Sequence, residues 1–314
     1  MENKTKSKRY IGFIFIFLCA LCFSTQEISG SYLANMNLNA YQVNGISYLI
    51  GALLLLPLAI RELKKAHLKL SKKDIFYFAF LGIIQVSIGM TLLQQALSYA
   101  NPAIVATITC SNAIITVPFA QIILKEKMNP KAWIAIAIAA IGLVIISNPF
   151  GSTSAVYPHQ TEGILYAIGG AICLALFNTF ATKAVHKYGK STTNSISFLW
   201  GSILLFIFMG FAGIPIIHGI TLTSLPLLVY VGVVVKGIGF FFFVGAMKET
   251  SAITATSVFY IKPIIVAILV FLVMGTIIAP TTLIGIIFIV CASVLIFFIK
   301  KASAKQKLTT GSAH

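Results

Sequence analysis

The feature that most constrains this chain is the length of its apolar runs. Ten can be drawn, at about residues 10–33, 41–60, 75–99, 102–123, 131–148, 162–182, 193–214, 224–247, 251–274 and 281–299. Most come close to the roughly 20 residues that a helix needs to cross the hydrocarbon core of a bilayer. A segment in lipid must satisfy its backbone internally, which leaves helices or closed barrels. Barrel strands alternate apolar and polar residues; most of each run does not, so helices are predicted. Composition agrees. The 314 residues are 58% hydrophobic and only 10% charged, against roughly 25% charged in soluble domains. The expected fold class is all-α, a polytopic membrane protein with ten transmembrane helices.

The net charge of +16 would suit a nucleic-acid partner, but its placement argues against one. Lys4, Lys6, Lys8 and Arg9 precede the first run. Arg61, Lys64, Lys65, Lys69, Lys72 and Lys73 mark the second connection, and Lys125, Lys127 and Lys131 the fourth. Lys183, Lys187 and Lys190 mark the sixth, Lys248 the eighth, and Lys300, Lys301, Lys305 and Lys307 the carboxyl tail. Odd-numbered connections carry none, so 21 of the 23 basic residues fall on one side of the membrane. The positive-inside rule assigns that side, with both termini, to the cytoplasm. The expected location is the plasma membrane, and the excess of Lys over Arg fits an AT-rich bacterial genome.

Other signals are weaker. The basic start followed by an apolar run reads as a first transmembrane helix rather than a cleaved signal peptide. Cys19, Cys22, Cys110, Cys173 and Cys291 all fall inside runs. The C-x-x-C spacing of Cys19 and Cys22 lacks the solvent access that redox work needs. The five His lie outside the runs, so no metal site, cofactor or His catalysis is expected in the membrane.

The second half repeats the first. A shift of about 150 residues brings Gly82, Ile88, Gly89, Ala96, Ile114, Ile115 and Pro130 onto Gly232, Ile238, Gly239, Ala246, Ile264, Ile265 and Pro280. A shift of 151 brings Gly12, Ala20 and Cys22 onto Gly163, Ala171 and Cys173. Five spans per half is an odd number, so the second half enters the membrane upside down, the inverted-repeat plan of many secondary transporters. The expected division is a first repeat at 1–148, an outer linker at 149–161, a second repeat at 162–300 and a cytoplasmic tail at 301–314.

The stretch L-K-E-K-M-N-P at Leu124 to Pro130 and K-P-I-I-V-A-I-L from Lys262 carry a resemblance. With ten runs in two inverted halves, the chain resembles the EamA-type transporters of the drug/metabolite transporter superfamily. The resemblance implies a ten-helix fold and transport of amino acids or other small metabolites, mostly outward. It implies proton coupling for only some members. The chain departs from the pattern at one place: the acid after the fourth run is Glu126, but its counterpart in the second half is Thr276.

Three charges lie well inside the runs: Lys236, Lys262 and Glu27. A Lys at a helix centre costs roughly 2.5–3.5 kcal/mol even on the lenient insertion scale, so each needs a wet cavity or a partner. The repeat shift pairs Lys262 with Asn112, Lys236 with the neighbour of Gln85, and Glu27 with Asn178. Interhelical hydrogen bonds, worth about 0.6 kcal/mol each, account for the amides equally well. Pro263 deprives the Phe259 carbonyl of its donor, and Pro118 that of Ile114. Each is a candidate helix break beside a cavity, or else a packing kink. Phe240 to Phe243, Phe259, Tyr260 and Trp200 could supply an aromatic wall.

The expectation is a secondary transporter of small metabolites, amino acids or related zwitterionic or anionic compounds, exporting them by alternating access. Lys262, Lys236, Asn112, Gln85, Asn178 and Phe259 are the candidate substrate-binding residues. Glu27 is either an ion-pair partner or a proton carrier, and a proton is a candidate coupling ion. The alternative is export of cationic or hydrophobic drugs with Glu27 as counter-ion; a channel or an intramembrane enzyme comes behind. The chain holds no G-x-S-x-G, H-E-x-x-H or P-loop, so neither catalysis nor ATP-driven pumping is expected.

Overall fold

A computed structural model describes residues 2–125, 130–147, 157–249, 255, 258–276 and 278–310. Glu126 and most of the 149–161 linker lie outside these residues. The described chain is helical, with no strand among the described residues. Among the described residues, eight spans are long and apolar enough to cross a membrane, with mean hydropathy between 1.7 and 3.0, and two apolar helices are shorter.

Helices α1 (Glu2–Asn35) and α2 (Ala40–Lys65) are followed by a composite third span. It comprises α3 (Lys72–Gly82), a π-helical segment (Ile83–Met90) and α4 (Thr91–Ala96). Next come α5 (Pro102–Cys110), α6 (Asn112–Leu124), α7 (Lys131–Ser147), α8 (Gln160–Tyr188) and α9 (Lys190–Phe211). A second composite span joins α10 (Ser224–Tyr230), a π-helical segment (Val231–Gly239) and α11 (Phe240–Glu249). Finally α12 covers Val258–Met274 and α13 Pro280–Thr310, so helix continues into the expected tail.

Local chemistry sets several starts. The Asn39 side chain accepts from the Tyr41 amide, and the Gln42 side chain accepts from the Asn39 amide at 3.0 Å, a closed capping box for α2. Ser71 and Asp74 do the same for α3. Asn101 caps α5, with Pro102 in the first helical position.

The break in the fourth span falls at Ser111, not at Pro118. The Ser111 hydroxyl donates to the Ile108 carbonyl at 2.6 Å, and the Asn112 side-chain amide donates to the Thr109 carbonyl at 2.8 Å. These side chains compete with the helix ladder. Pro118 and Pro263 both lie inside helices that run through them.

The packing combines an apolar outer surface with an interior that also buries many hydroxyl residues. Large apolar side chains such as Trp133, Leu165, Phe208, Phe271 and Leu272 are exposed, while Ser24, Ser47, Thr192, Ser197 and Ser202 are fully buried. Lipid offers no hydrophobic drive between helices, so small and hydroxyl residues at the contacts do the joining. Helix α2 packs on α9 and α7 on α13. Helix α1 lies against α11 and α12, and α8 lies against α4 and α6. At the α3–α9 crossing, Gly82 and Gly201 let backbones touch, since a Cβ on Gly82 would come within 2.6 Å of the Gly201 nitrogen.

Candidate functional site

Between these packed pairs lies a cavity of about 450 Å³. It is lined by Lys262, Lys236, Asn112, Gln85, Asn178 and Phe259, the six candidate substrate-binding residues, and by Glu27. Pro263, Pro118 and Trp200 are not in its wall.

The three charges play different parts. Lys262 on α12 donates to Glu27 Oε1 on α1 at 2.5 Å, both side chains being almost fully buried. This pair is neutral. Lys236 is 2% exposed and meets no carboxylate within ion-pair distance among the described residues. Its ammonium donates to the Tyr48 hydroxyl at 3.2 Å and stands 4.3 Å from the centre of that ring. Tyr48 is in turn fixed edge-on against Phe198, with centroids 4.7 Å apart.

Local structure explains how Lys236 is presented. It sits in the second π-helical segment, and Gln85 sits in the first. Such wide turns shift the phase of all that follows in a span and recur at functional sites. Gly51 on α2 faces Lys236, where a Cβ would collide with that residue's own Cβ and backbone. A glycine is needed there for the lysine to stand against α2.

The amides form a second joint. The Asn178 side chain donates to Asn112 Oδ1 at 3.3 Å. Asn178 and Asn112 are the positions that shifts of 151 and 150 residues pair with Glu27 and Lys262, so an amide pair stands where those shifts place the ion pair.

Among the described residues, four oxygens in the wall have no donor. Gln26 Oε1, Glu27 Oε2, Gln85 Oε1 and Gln94 Oε1 are buried and meet no hydrogen-bond partner among the described residues. The Gln94 amide nitrogen donates to the Gly30 carbonyl at 2.7 Å, which fixes which way its oxygen faces. Unmatched buried acceptors are costly, and an unmatched buried ammonium more so. The cavity core therefore offers one cation and several acceptors to a bound molecule.

An apolar wall stands beside them. Phe23 lies 5.0 Å from Phe240 and 6.2 Å from both Phe243 and Phe259, centroid to centroid, and all four line the cavity.

One end is closed by the buried Leu93, Gln94 and Leu97. The other reaches the exposed His186 and half-buried Lys190 and Asn194, where α8 ends and α9 begins. The Lys190 ammonium there contacts Met247 Sδ and lies 5.7 Å from the Phe243 ring.

Sequence reasoning passed over Tyr48, Gln26, Gln94, Lys190 and His186. Lys190 and His186 fall outside the apolar runs, but His186 lies in the last turn of α8 and Lys190 begins α9. Gln26 and Gln94 are uncharged but lie inside apolar runs, the signal that could have found them.

Comparison with known proteins gives the family. The EamA-like transporter family profile matches residues 10–148 and again residues 161–298. A Clostridium kluyveri protein named as an uncharacterized transporter is 40% identical over 305 residues, covering 96% of this chain and 98% of that protein. The uncharacterized transporter YyaM of Bacillus subtilis is 24% identical over 248 residues, covering 77% and 79% respectively. One crystal structure shares the fold at a TM-score of 0.63, spanning 95% of this chain and 98% of its own, at 15% identity. Helices apolar enough to span a bilayer, and matches over nearly its whole length, make this chain a multi-pass membrane protein that belongs to the EamA-like transporter family.

Proposed function

We propose that the protein is a secondary transporter that moves amino acids or related zwitterionic or anionic metabolites across the plasma membrane by alternating access, with export favoured. The observation that carries this reading is the uncompensated Lys236 in the same cavity as four acceptor oxygens without donors. A molecule with an anionic group and an N–H-bearing group satisfies both. Lys236 and Tyr48 take the anion, Gln26, Gln94, Gln85 and Glu27 Oε2 take the donor end, and the Phe wall takes an apolar part.

The two lysines divide the work. Lys262 is already neutralised by Glu27, so it acts as the movable half of a latch that substrate or a proton on Glu27 releases. Asn112 and Asn178 form the static counterpart. A cationic drug fits less well, because Glu27, the buried acid it would need, is already paired.

Ten spans in two inverted repeats, 1–148 and 162–300, underlie this mechanism, with 149–161 as outer linker and both termini cytoplasmic. The doubled profile match supports that plan, as do π-helical segments at 83–90 and 231–239. The packing of α1 on α11 and α12, matched by α8 on α4 and α6, adds to it. With the basic face cytoplasmic, the cavity opening at His186 is the inward-open state.

The test is a thermal-shift screen of amino acids, organic anions and cationic dyes on purified protein, followed by counterflow in proteoliposomes. A ligand that binds only the folded form raises apparent stability. Stabilisation by a zwitterion and saturable, trans-stimulated exchange of the same compound are expected. Flux that rises linearly without trans-stimulation would leave a channel in its place, and stabilisation by cations alone would favour the drug exporter.

A further inference from the structure

A second cavity, of about 350 Å³, lies apart from the first, where three spans end together. Its wall is made by the start of α3, the end of α6 and the end of α8: Asp74, Tyr77, Leu124, Phe180, Lys183 and Lys187 are the residues that matter. We propose that it binds the headgroup of an anionic phospholipid.

The charge balance gives the sign of the ligand. Lys183 and Lys187 are one turn apart on the same face of α8. Lys187 reaches Asp74 at 3.3 Å, while Lys183 forms no ion pair among the described residues. Among the described residues of the wall, one carboxylate against two ammonium groups leaves a net positive charge. Lys125, next in the chain to Leu124, and Lys72 and Lys73, just before Asp74, are exposed and basic as well.

The surroundings say that the ligand has a tail. Tyr77 anchors the wall by donating to the Phe180 carbonyl at 2.7 Å. Phe180 stacks edge-on against Phe80, centroids 5.4 Å apart, and Phe80 is itself 42% exposed. Phe76 on α3 and Ile122 on α6 are exposed by 77% and 73%. An aromatic path thus runs from the charged pocket to the outward apolar surface. A free phosphate has no use for that path; a glycerophospholipid uses both ends. The pocket also lies on the side holding most of the chain's lysines, where basic clusters at the membrane boundary attract anionic lipid.

The experiment measures lipid retention by native mass spectrometry, with melting temperature as a second readout, on full-length protein in a neutral detergent. Phosphatidylglycerol and phosphatidylcholine with the same acyl chains are compared, with inorganic phosphate in a third arm. The expected result is preferential retention of phosphatidylglycerol and a higher melting temperature with it. The preference should fall about fivefold for each lysine removed in Lys183→Gln and Lys183→Gln/Lys187→Gln. Should the double variant fail to fold, the single change at the exposed Lys183 decides alone. Equal retention of phosphatidylcholine, or a preference that survives loss of Lys183, overturns the proposal. Millimolar inorganic phosphate giving the same stabilisation as phosphatidylglycerol replaces the lipid by a soluble anion.

Discussion

Replacing Lys236 with Met separates binding from stability, because the two should move in opposite directions. Lys236 is 2% exposed, and its one polar partner among the described residues is the neutral Tyr48 hydroxyl. An unpaired buried ion carries a desolvation penalty of several kcal/mol. Methionine keeps the length of the chain and removes that penalty. The loss on the other side is the hydrogen bond to Tyr48, about 1–3 kcal/mol if the hydroxyl stays unmatched. The balance is near zero or favourable, so the melting temperature should stay or rise by a few degrees. Binding should suffer. A hydrogen bond to a charged group contributes about 1.5–3 kcal/mol, so affinity for the stabilising zwitterion should fall roughly 10- to 150-fold. Thermal melting with and without ligand reads both effects on one sample, and counterflow reads transport. A variant that melts lower and binds as well as the parent would make Lys236 a structural residue and sink the site assignment.

The Glu27–Lys262 pair predicts the reverse. Glu27→Gln leaves an ammonium buried without its counter-charge and should cost about 3–5 kcal/mol, seen as a lower melting temperature. Glu27→Leu/Lys262→Met should recover most of that stability while transport stays lost; no loss in the single variant would show that the pair is not a dry contact. At the α3–α9 crossing, Gly82→Ala forces a Cβ onto the Gly201 backbone and should destabilise by about 1–3 kcal/mol. Gly210→Ala, with nothing within 4 Å, should be neutral or gain up to about 1 kcal/mol, which makes it the matched control in the same melting assay. Glu62 on α2 accepts from the Ser191 hydroxyl and the Thr192 amide, each at 2.9 Å, capping α9 from another helix. Glu62→Ala should cost about 1–2 kcal/mol, checked by faster hydrogen exchange at residues 190–194.

Much of the architecture could be read from the chain before any coordinates, because insertion into lipid depends on windows of about 20 residues and little else. The run at 102–123 became Pro102–Leu124, and that at 224–247 became Ser224–Met247. The prolines misled for a related reason: a missing amide hydrogen is visible in sequence, but a helix in a bundle can run on through it. The Ser111 break depends on where hydroxyl and amide side chains turn, which no pattern of apolar residues records.

The site divided in the same way. Lys236, Lys262 and Glu27 stood out because a charge in hydrocarbon is costly wherever the helix points. Which lysine takes the acid was decided only by tertiary structure, and so were Tyr48, Gln26 and Gln94 as parts of the wall. Successive residues of a helix point about 100° apart, so one extra residue in a π-helical turn moves a side chain from cavity to neighbour. Hydropathy adds up along the chain and is indifferent to that rotation; pairing depends on little else. The sequence by itself determined that this protein lies in a membrane with costly charges inside it. The packing of the helices alone decided that Glu27 silences Lys262 and leaves Lys236 facing the cavity.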